Sequence, residues 1–463
     1  MIDLVHRAVR RMYEGEGDSL PSAPTVKVIN LSVGDGHRPF GGGDLSPWAR
    51  LIDWLSHKHQ VLFVVSVGNA SDELTLDAPR ESIVHLSDDQ RASLAARALM
   101  TNDGHRMLLA PAEAINALTV GACHFDGSVG VSVPGRYSLF PDQGIAPYSR
   151  IGPGFRRSIK PDILLAGGRV LYSESPMSPL HETQVRGAWR SPAPPGHLVA
   201  APPDAAGNAT IFSRGTSNAA ALGTRAAAHA FEVLESLRAG GATDLSPRFD
   251  AVLIKALLAH GAAWGVTKDQ VLVARPDVDQ WHRQKLLVAR YAGYGLADVE
   301  KALTCTEQRA TLLGVGELRN DKALEFRIPI PVALNATTER RRLTVTLAWL
   351  SPTNSRHSKY RVGRLWMDVP DAGLRLTRLE GESRQVQSGT LQHEIFEGDS
   401  AVPIVQGSEI TIRVNCVADA GRLSASVQFA LCVSLEVAEG VALPIYQQVR
   451  ARISPPISIS ANG

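Results

Sequence analysis

Cysteine is scarce in this chain: 4 in 463 residues, at Cys123, Cys305, Cys416 and Cys432, with no CxxC pair. Such spacing speaks against a structural zinc site and against a dense disulfide framework. A Cys416–Cys432 bridge is conceivable in a β-rich region, but reduced thiols are the preferred reading. An excess of charge of one sign is lacking too. With 48 Lys and Arg against 46 Asp and Glu, the net charge of +2 gives no electrostatic case for nucleic acid or an acidic membrane surface. Short basic runs at Arg340, Arg341 and Arg342 and at Arg7, Arg10 and Arg11 stand beside acidic or apolar residues and read as solvated faces. Long hydrophobic runs are missing as well: none approaches the ~20 residues that span a bilayer. The first residues, MIDLVHRAVRRMYEGEG, interleave charges with Ile2, Val5, Val9 and Met12, an amphipathic helix and not a signal peptide. A cytoplasmic protein without cofactor or metal is the expectation.

What is present is apolar periodicity of two kinds. Val26–Leu31 is a short β-branched run, Pro47–His57 carries Trp48, Leu51, Ile52 and Leu55 on one helical face, and Val61–Val67 (VLFVVSV) is apolar without alternation. Strand, helix and doubly buried strand in that order make a βαβ unit and require a parallel sheet. Asp88–Met100 reads as a helix and Ala114–Ala122 as another buried strand. Ser173–Gly207, rich in Pro, Gly and Ala, reads as a long loop. An Ala-rich helix is expected over Asn218–Leu237, stopping before Gly240-Gly241, and a second over Phe249–His260. After about residue 305 helical patterns almost vanish. Phe326–Leu334, Leu343–Trp349, Glu409–Val417 and Ser424–Leu435 are strand-like, which suggests an antiparallel jelly-roll-like sandwich. The expected organisation is therefore an α/β part over 1–304, with a mostly parallel sheet flanked by helices, and an all-β part over 305–463.

Three segments carry chemistry. Gly215-Thr216-Ser217 opens the Ala-rich helix, so the Ser217 hydroxyl sits where unfilled backbone N–H groups and the helix dipole favour a developing negative charge. An ordinary N-cap needs the same residue types, and this serine alone would decide nothing. Val65-Ser66-Val67-Gly68-Asn69 ends a buried strand with a side-chain amide at the carboxyl edge of the sheet, where open α/β sites lie. A turn asparagine would look the same in isolation. The third segment is Tyr148-Ser149-Arg150-Ile151-Gly152-Pro153, followed by Lys160-Pro161-Asp162-Ile163.

Taken together, VINLSVG at 28–34, LFVVSVGN at 62–69, YSRIGP at 148–153, KPDI at 160–163 and GTSNAA at 215–220 resemble, in order and rough spacing, the subtilisin-like (S8) serine peptidases. The resemblance covers about residues 26–300 and includes Tyr294-Gly295. It implies Ser217 as nucleophile and Asn69 as the oxyanion-hole amide, helped by the Ser217 N–H. It also implies that Ser32, Val33 and Gly34, with Ser66, Val67 and Gly68, pair with an extended polypeptide substrate through main-chain hydrogen bonds. An amide donor at an oxyanion contributes roughly 3–4 kcal/mol to transition-state stabilisation, a value that comes from subtilisins themselves. Lys160-Pro161-Asp162 matches a structural segment holding the loop before the nucleophile.

The chain also departs from that pattern. The family places an Asp, then a His in a His-Gly-Thr context, before the strand at Val26, and nothing upstream here reads that way. His6 and Asp3 lie in the amphipathic helix pattern. His57 and His59 fall at a helix end, and as an HxH pair without a third ligand they are a weak metal signal. His181 and His197 lie in the Pro-rich segment. Asn218 and Ala221 stand where the family usually has Met and Pro. Two readings stay open: an incomplete version of a longer endopeptidase, or a pseudoprotease that binds a polypeptide partner without cleaving it. In either case the β part is a possible surface for a protein partner. A nucleotide site is disfavoured, since Gly41-Gly42-Gly43 is followed by no Lys-Ser/Thr.

Overall fold

A computed structural model describes residues 1–450 and 457–460, apart from 84, 102, 177–180, 192, 204, 206, 208, 370–373, 402, 406–407, 439–440 and 442. At its centre is a six-stranded sheet built from β1 (Val28–Leu31), β2 (Leu62–Ser66), β3 (Leu118–Cys123), β4 (Ile163–Ala166), β5 (Ala262–Ala263) and β6 (Leu296–Ala297). Its spatial order is β1-β2-β3-β4-β6-β5, parallel except for the final β5/β6 pair.

The run Val61–Val67 shows why the sheet has two covered faces. Leu62 and Val64 point into one core with Ala219, Ala220 and Ala227 of the helix α4 (Thr216–Ala239). Phe63, Val65 and Val67 point into another, with Trp48, Ile52 and Leu55 of α2 (Pro47–His59) and Val9 of α1 (Ile2–Tyr13). All five β2 residues are buried. Each fully buried large apolar side chain of this kind contributes roughly 1.5–3 kcal/mol. Alanine on the inner face of α4 brings its backbone close to the sheet, which fixes where the helix begins. The Ser46 hydroxyl caps α2 by accepting from the Ala49 N–H, with Pro47 at the first helical position.

The helix expected from Asp88 is α3 (Asp88–Thr101), and that from Phe249 is α5 (Asp250–His260). The strand expected from Ala114 starts only at Leu118. The Asn116 N–H donates to Asp53 Oδ1 at 2.7 Å, and the Asn116 amide spans Asp53 O and Ser351 O at 2.9 Å each, so this stretch is occupied elsewhere before the ladder begins. Ser173–Gly207 is no plain loop. Thr183–Gly187 lies between Tyr172–Glu174 and Leu74–Leu76, and Thr210–Ser213 lies between Arg190–Ser191 and His197–Ala200, in two small antiparallel sheets. Residues 177–180, 192, 204 and 206 of that stretch lie outside the described ones.

Beyond residue 305 two antiparallel sheets follow. One has five strands, with Val427–Val437 between Arg309–Leu318 and Arg341–Trp349. The other has four, with Glu409–Ala418 between Lys322–Pro329 and Gly363–Asp368. Side chains of both sheets share one core, including Leu347, Trp349, Ile412, Val414 and Phe429. Arg341 in this region is no solvated residue. It is fully buried and donates to the carbonyls of Thr337 and Ser400. The four cysteines are unpaired, with Cys123, Cys416 and Cys432 buried.

The α/β part and the β sheets meet over a polar seam. Lys255 of α5 donates to Asn116 O and to the Thr390 hydroxyl at 3.0 and 2.8 Å. Tyr360 OH meets Asp53 Oδ2 at 3.0 Å. His260 and His393 both reach the Thr346 hydroxyl at 2.8 Å. Among the described residues no helix is long and apolar enough to cross a membrane.

Candidate active site

The site forms where α4 starts at the carboxyl end of β2. Asn69 lies three residues past the end of β2, and its Oδ1 accepts from the Thr216 N–H at 2.9 Å and from the Thr216 hydroxyl at 3.0 Å. Two donors on the oxygen leave the amide nitrogen pointing the other way. A Cβ added to Gly215 would lie 3.2 Å from Asn69 Nδ2, a tight contact that the amide would have to yield to. Nδ2 itself has no hydrogen-bond partner among the described residues. The Asn69 main chain is pinned by Arg150, whose Nε donates to Asn69 O at 2.9 Å.

Ser217 is the second residue of α4 and half-buried. Its N–H is one of the orphan donors of a helix start and has no partner among the described residues. The next one, of Asn218, is taken by Gly215 O at 3.1 Å. Ser217 Oγ contacts the Ser32 carbonyl at 3.3 Å, and Ser32 Oγ contacts the Ser217 carbonyl at 3.3 Å. Both are long for hydroxyl bonds, so the Ser217 proton is loosely held.

The turn is braced from behind. Gly215 N–H donates to Gly167 O at 2.9 Å. Tyr148 OH donates to Gly168 O at 2.7 Å, and Asn218 Nδ2 donates to Ser213 O at 3.1 Å. These positions explain the YSRIGP motif and give Asn218 a local anchoring task. Lys160 and Asp162 form a buried ion pair that ties down the start of β3, where Asp162 Oδ2 accepts from Thr119 N–H at 2.6 Å and Lys160 donates to Ala117 O at 2.9 Å. That segment is structural as expected, but it holds β3 and not the loop before the nucleophile.

The two segments expected to meet a peptide differ. Val33 and Gly34 are exposed and form no backbone pair among the described residues. Ser66, Val67 and Gly68 are buried, and their main chain is engaged: Val67 N–H donates to Val120 O at 3.0 Å, Val67 O accepts from Leu109 at 3.1 Å, and Gly68 O accepts from Arg150 at 3.3 Å. A peptide pairing with that segment would have to displace those bonds. The sequence reading also missed Leu109. A Cβ on Gly68, whose φ is +95°, would come within 2.8 Å of the Leu109 side chain, and one on Gly34 within 3.3 Å. Leu109 therefore fills the space between the two strand ends, and no motif marks it.

No imidazole hydrogen-bonds Ser217 Oγ among the described residues. His6 lies edge-on to Trp54 with ring centres 5.8 Å apart, and His59 stacks on Tyr13 at 4.7 Å. His57 and His59 are both held below the usual imidazole range by burial. His197 faces Ala166 O at 3.2 Å, and His181 is exposed. No group of three or more His, Cys, Asp or Glu side chains placed to hold a metal occurs among the described residues.

Among proteins of known sequence, the chain is 25% identical over 343 residues to the uncharacterized protein y4bN of Sinorhizobium fredii, a match covering 72% of this chain and 69% of that one. Among solved structures, a serine protease of Aeromonas sobria aligns over 93% of this chain and 74% of its own, at 11% identity and a TM-score of 0.23. The family model described as the subtilase family matches residues 4–295, which is more than half of the chain and takes in β1 to β4, Asn69 and Ser217. The chain belongs to the subtilase family.

Proposed function

We propose that this chain carries the acyl-transfer half of a serine endopeptidase site. Ser217 Oγ attacks the carbonyl carbon of a peptide bond, and the hydroxyl proton passes to a general base supplied by residues outside this sequence. The carbonyl oxygen, now negative, is received by Asn69 Nδ2 and the Ser217 N–H. Collapse of that intermediate expels the amine, which takes up the proton, and leaves an acyl-serine for water to hydrolyse. The substrate backbone lies along Ser32–Gly34, where the main chain of Val33 and Gly34 has no partner among the described residues. A boundary near residue 305 separates this machinery from the β sheets.

One observation supports the reading above the rest: the Asn69 carboxamide is oriented by the residue next to Ser217, so its free N–H group and the serine share one turn. The test is fluorophosphonate labelling of protein expressed from an in-frame start further upstream. An adduct on Ser217 is expected, and a folded extended protein that leaves Ser217 unlabelled rejects the reading. The alternative, a pseudoprotease that binds a polypeptide, draws on the Ser217 hydroxyl meeting only a carbonyl. Peptide binding that survives Ser217→Ala, with no turnover in any form of the protein, would favour it.

A further inference from the structure

A second pocket lies away from Ser217, on the seam between the α/β part and the β sheets. Its walls come from Phe155 and Arg156 on one side and from Lys359, Arg361, Arg364, Arg384 and Asp419 on the other, and it encloses about 240 Å³. Five cationic side chains line it, Arg156, Lys359, Arg361, Arg364 and Arg384, against the single carboxylate of Asp419. Asp419 is already shared, with Lys359 at 2.9 Å and Arg361 at 3.3 Å. Arg156, Arg364 and Arg384 have no carboxylate partner among the described residues, and Arg364 reaches the Gln387 amide oxygen at 2.9 Å.

Solvated surface arginines would splay apart, and Arg156 and Arg384 are exposed enough to do so. Arg361 is not: it is 7% exposed and its guanidinium is fixed by the carbonyls of Gln387, Ser388 and Gly389. The Nε atoms of Arg361 and Arg364 are both buried without a hydrogen-bond partner. Burial pulls the Arg361 guanidinium down to about 10, Asp419 opposes this, and the neighbouring charges of Arg364 and Arg156 add to it. Another basic pocket is built differently, since Arg7, Arg10 and Arg11 share theirs with Glu14 and Glu16. What distinguishes the seam pocket is cationic charge left without a counter-charge.

We infer that this pocket binds a small phosphate compound carrying two or more negative charges. A lone carboxylate would neutralise one of the surplus cations, whereas a phosphoryl group presents several oxygens to the planar forks of arginine. The enclosed volume suits a ligand of one or two phosphoryl groups and excludes a helix or a strand. Because the walls belong to both parts of the chain, occupancy ties them together and raises the melting temperature by mass action.

The test uses the full chain with inorganic pyrophosphate, followed by thermal melting and titration calorimetry, against sodium chloride at equal ionic strength. The expected result is a rise in melting temperature that chloride does not reproduce. Arg364→Ala and Arg384→Ala each weaken binding at least tenfold, while Arg7→Ala leaves it unchanged. Circular dichroism checks the fold of each variant, and exposed Arg384 is the site where substitution disturbs the fold least. A phosphoserine peptide in a parallel arm separates sources: tighter binding than pyrophosphate assigns the phosphoryl group to a peptide and overturns the small free ligand. A shift matched by chloride, or binding that both alanine variants retain, overturns the site itself.

Discussion

Acid should act on the protein through two buried histidines, and the hydrogen bonds show how. His393 Nε2 faces the Ala262 carbonyl at 3.0 Å, which only accepts, so Nε2 carries the proton and Nδ1 is the acceptor. The Thr346 hydroxyl must then donate to His393 Nδ1 and accept from His260 Nδ1, both at 2.8 Å. His260 Nε2 in turn accepts from Ser434 Oγ at 2.7 Å, which accepts from the Thr311 hydroxyl at 2.7 Å. Every hydroxyl proton in this chain of bonds is committed, and both rings are neutral. A proton added to either ring sets a donor against a donor in a dry environment.

The magnitude follows from the shift. Burial pulls His393 from 6.5 down to about 4, with Arg342 adding to it against the bond to Ala262, and His260 lies well below its ordinary value for the same leading reason. As pH falls below 6.5 the unfolded chain takes up protons that the folded chain refuses until about 4, so stability is lost across that window. At about 1.4 kcal/mol per pH unit, His393 alone accounts for roughly 3 kcal/mol. Asp53 and Glu380 work in the opposite sense. Burial raises each to about 7, so the folded chain holds protons that the unfolded chain has released, and their contribution fades as pH rises through 7. The pH profile of the parent protein therefore mixes both signs, and a difference is the cleaner quantity. In urea unfolding at pH 7, 5.5 and 4, the stability gap between the parent and His393→Gln should shrink by roughly 3 kcal/mol from the highest to the lowest pH. A gap that stays constant would show that His393 is not buried neutral and would refute the reasoning.

Outcomes are expected for four further substitutions. In an extended protein that labels with fluorophosphonate, Asn69→Ala should slow turnover by about 10²–10³, the loss seen in subtilisins, with KM little changed; Thr216→Val, which removes one of the two bonds orienting the amide, should cost about 1 kcal/mol of activation free energy in the same kinetics. Leu109→Ala empties the space between Gly34 and Gly68. It should cost about 2–5 kcal/mol in urea unfolding, read from the shift of the urea midpoint. Asp162→Asn strands Lys160 without its buried partner and should lower unfolding stability by about 3–5 kcal/mol, measured by the shift of the urea midpoint.

The parts of the fold that were legible in the sequence are those where one local pattern has one physical solution. Val61–Val67 has no polar side, so it had to be covered on both faces, and the structure covers it with α4 on one and α2 on the other. Gly-Thr-Ser before an alanine run marks a helix that approaches a sheet closely, and α4 begins at Thr216 as that pattern requires. The strands within 173–213 were hidden because proline and glycine dilute the alternation, although Val185 is fully buried. Arg341 misled for a related reason: composition classes it as a surface cation, while its Nη2 donates to the carbonyls of nearby Thr337 and of distant Ser400 inside the β part.

The seam marks the limit of reading by local pattern. Asn116 meets Ser351 through two reciprocal hydrogen bonds of 2.9 Å across 235 positions, and nothing near either residue announces the other. Asp53, Lys255, His260 and His393 are each unremarkable alone: Asn116 and Tyr360 satisfy the first, Asn116 and Thr390 the second, and Thr346 bridges the two histidines. Such networks contribute little net free energy while intact, yet removing one member leaves the rest unpaired in a dry interior. The β sheets are therefore more than an appendage. The polar contacts that begin at Asn116 sit at the entrance to β3, the strand that lies beside β2 and so beside Asn69. A substitution at Ser351 or Thr390, far from Ser217 in sequence, acts at the entrance to β3, beside the strand that leads to the candidate oxyanion donor.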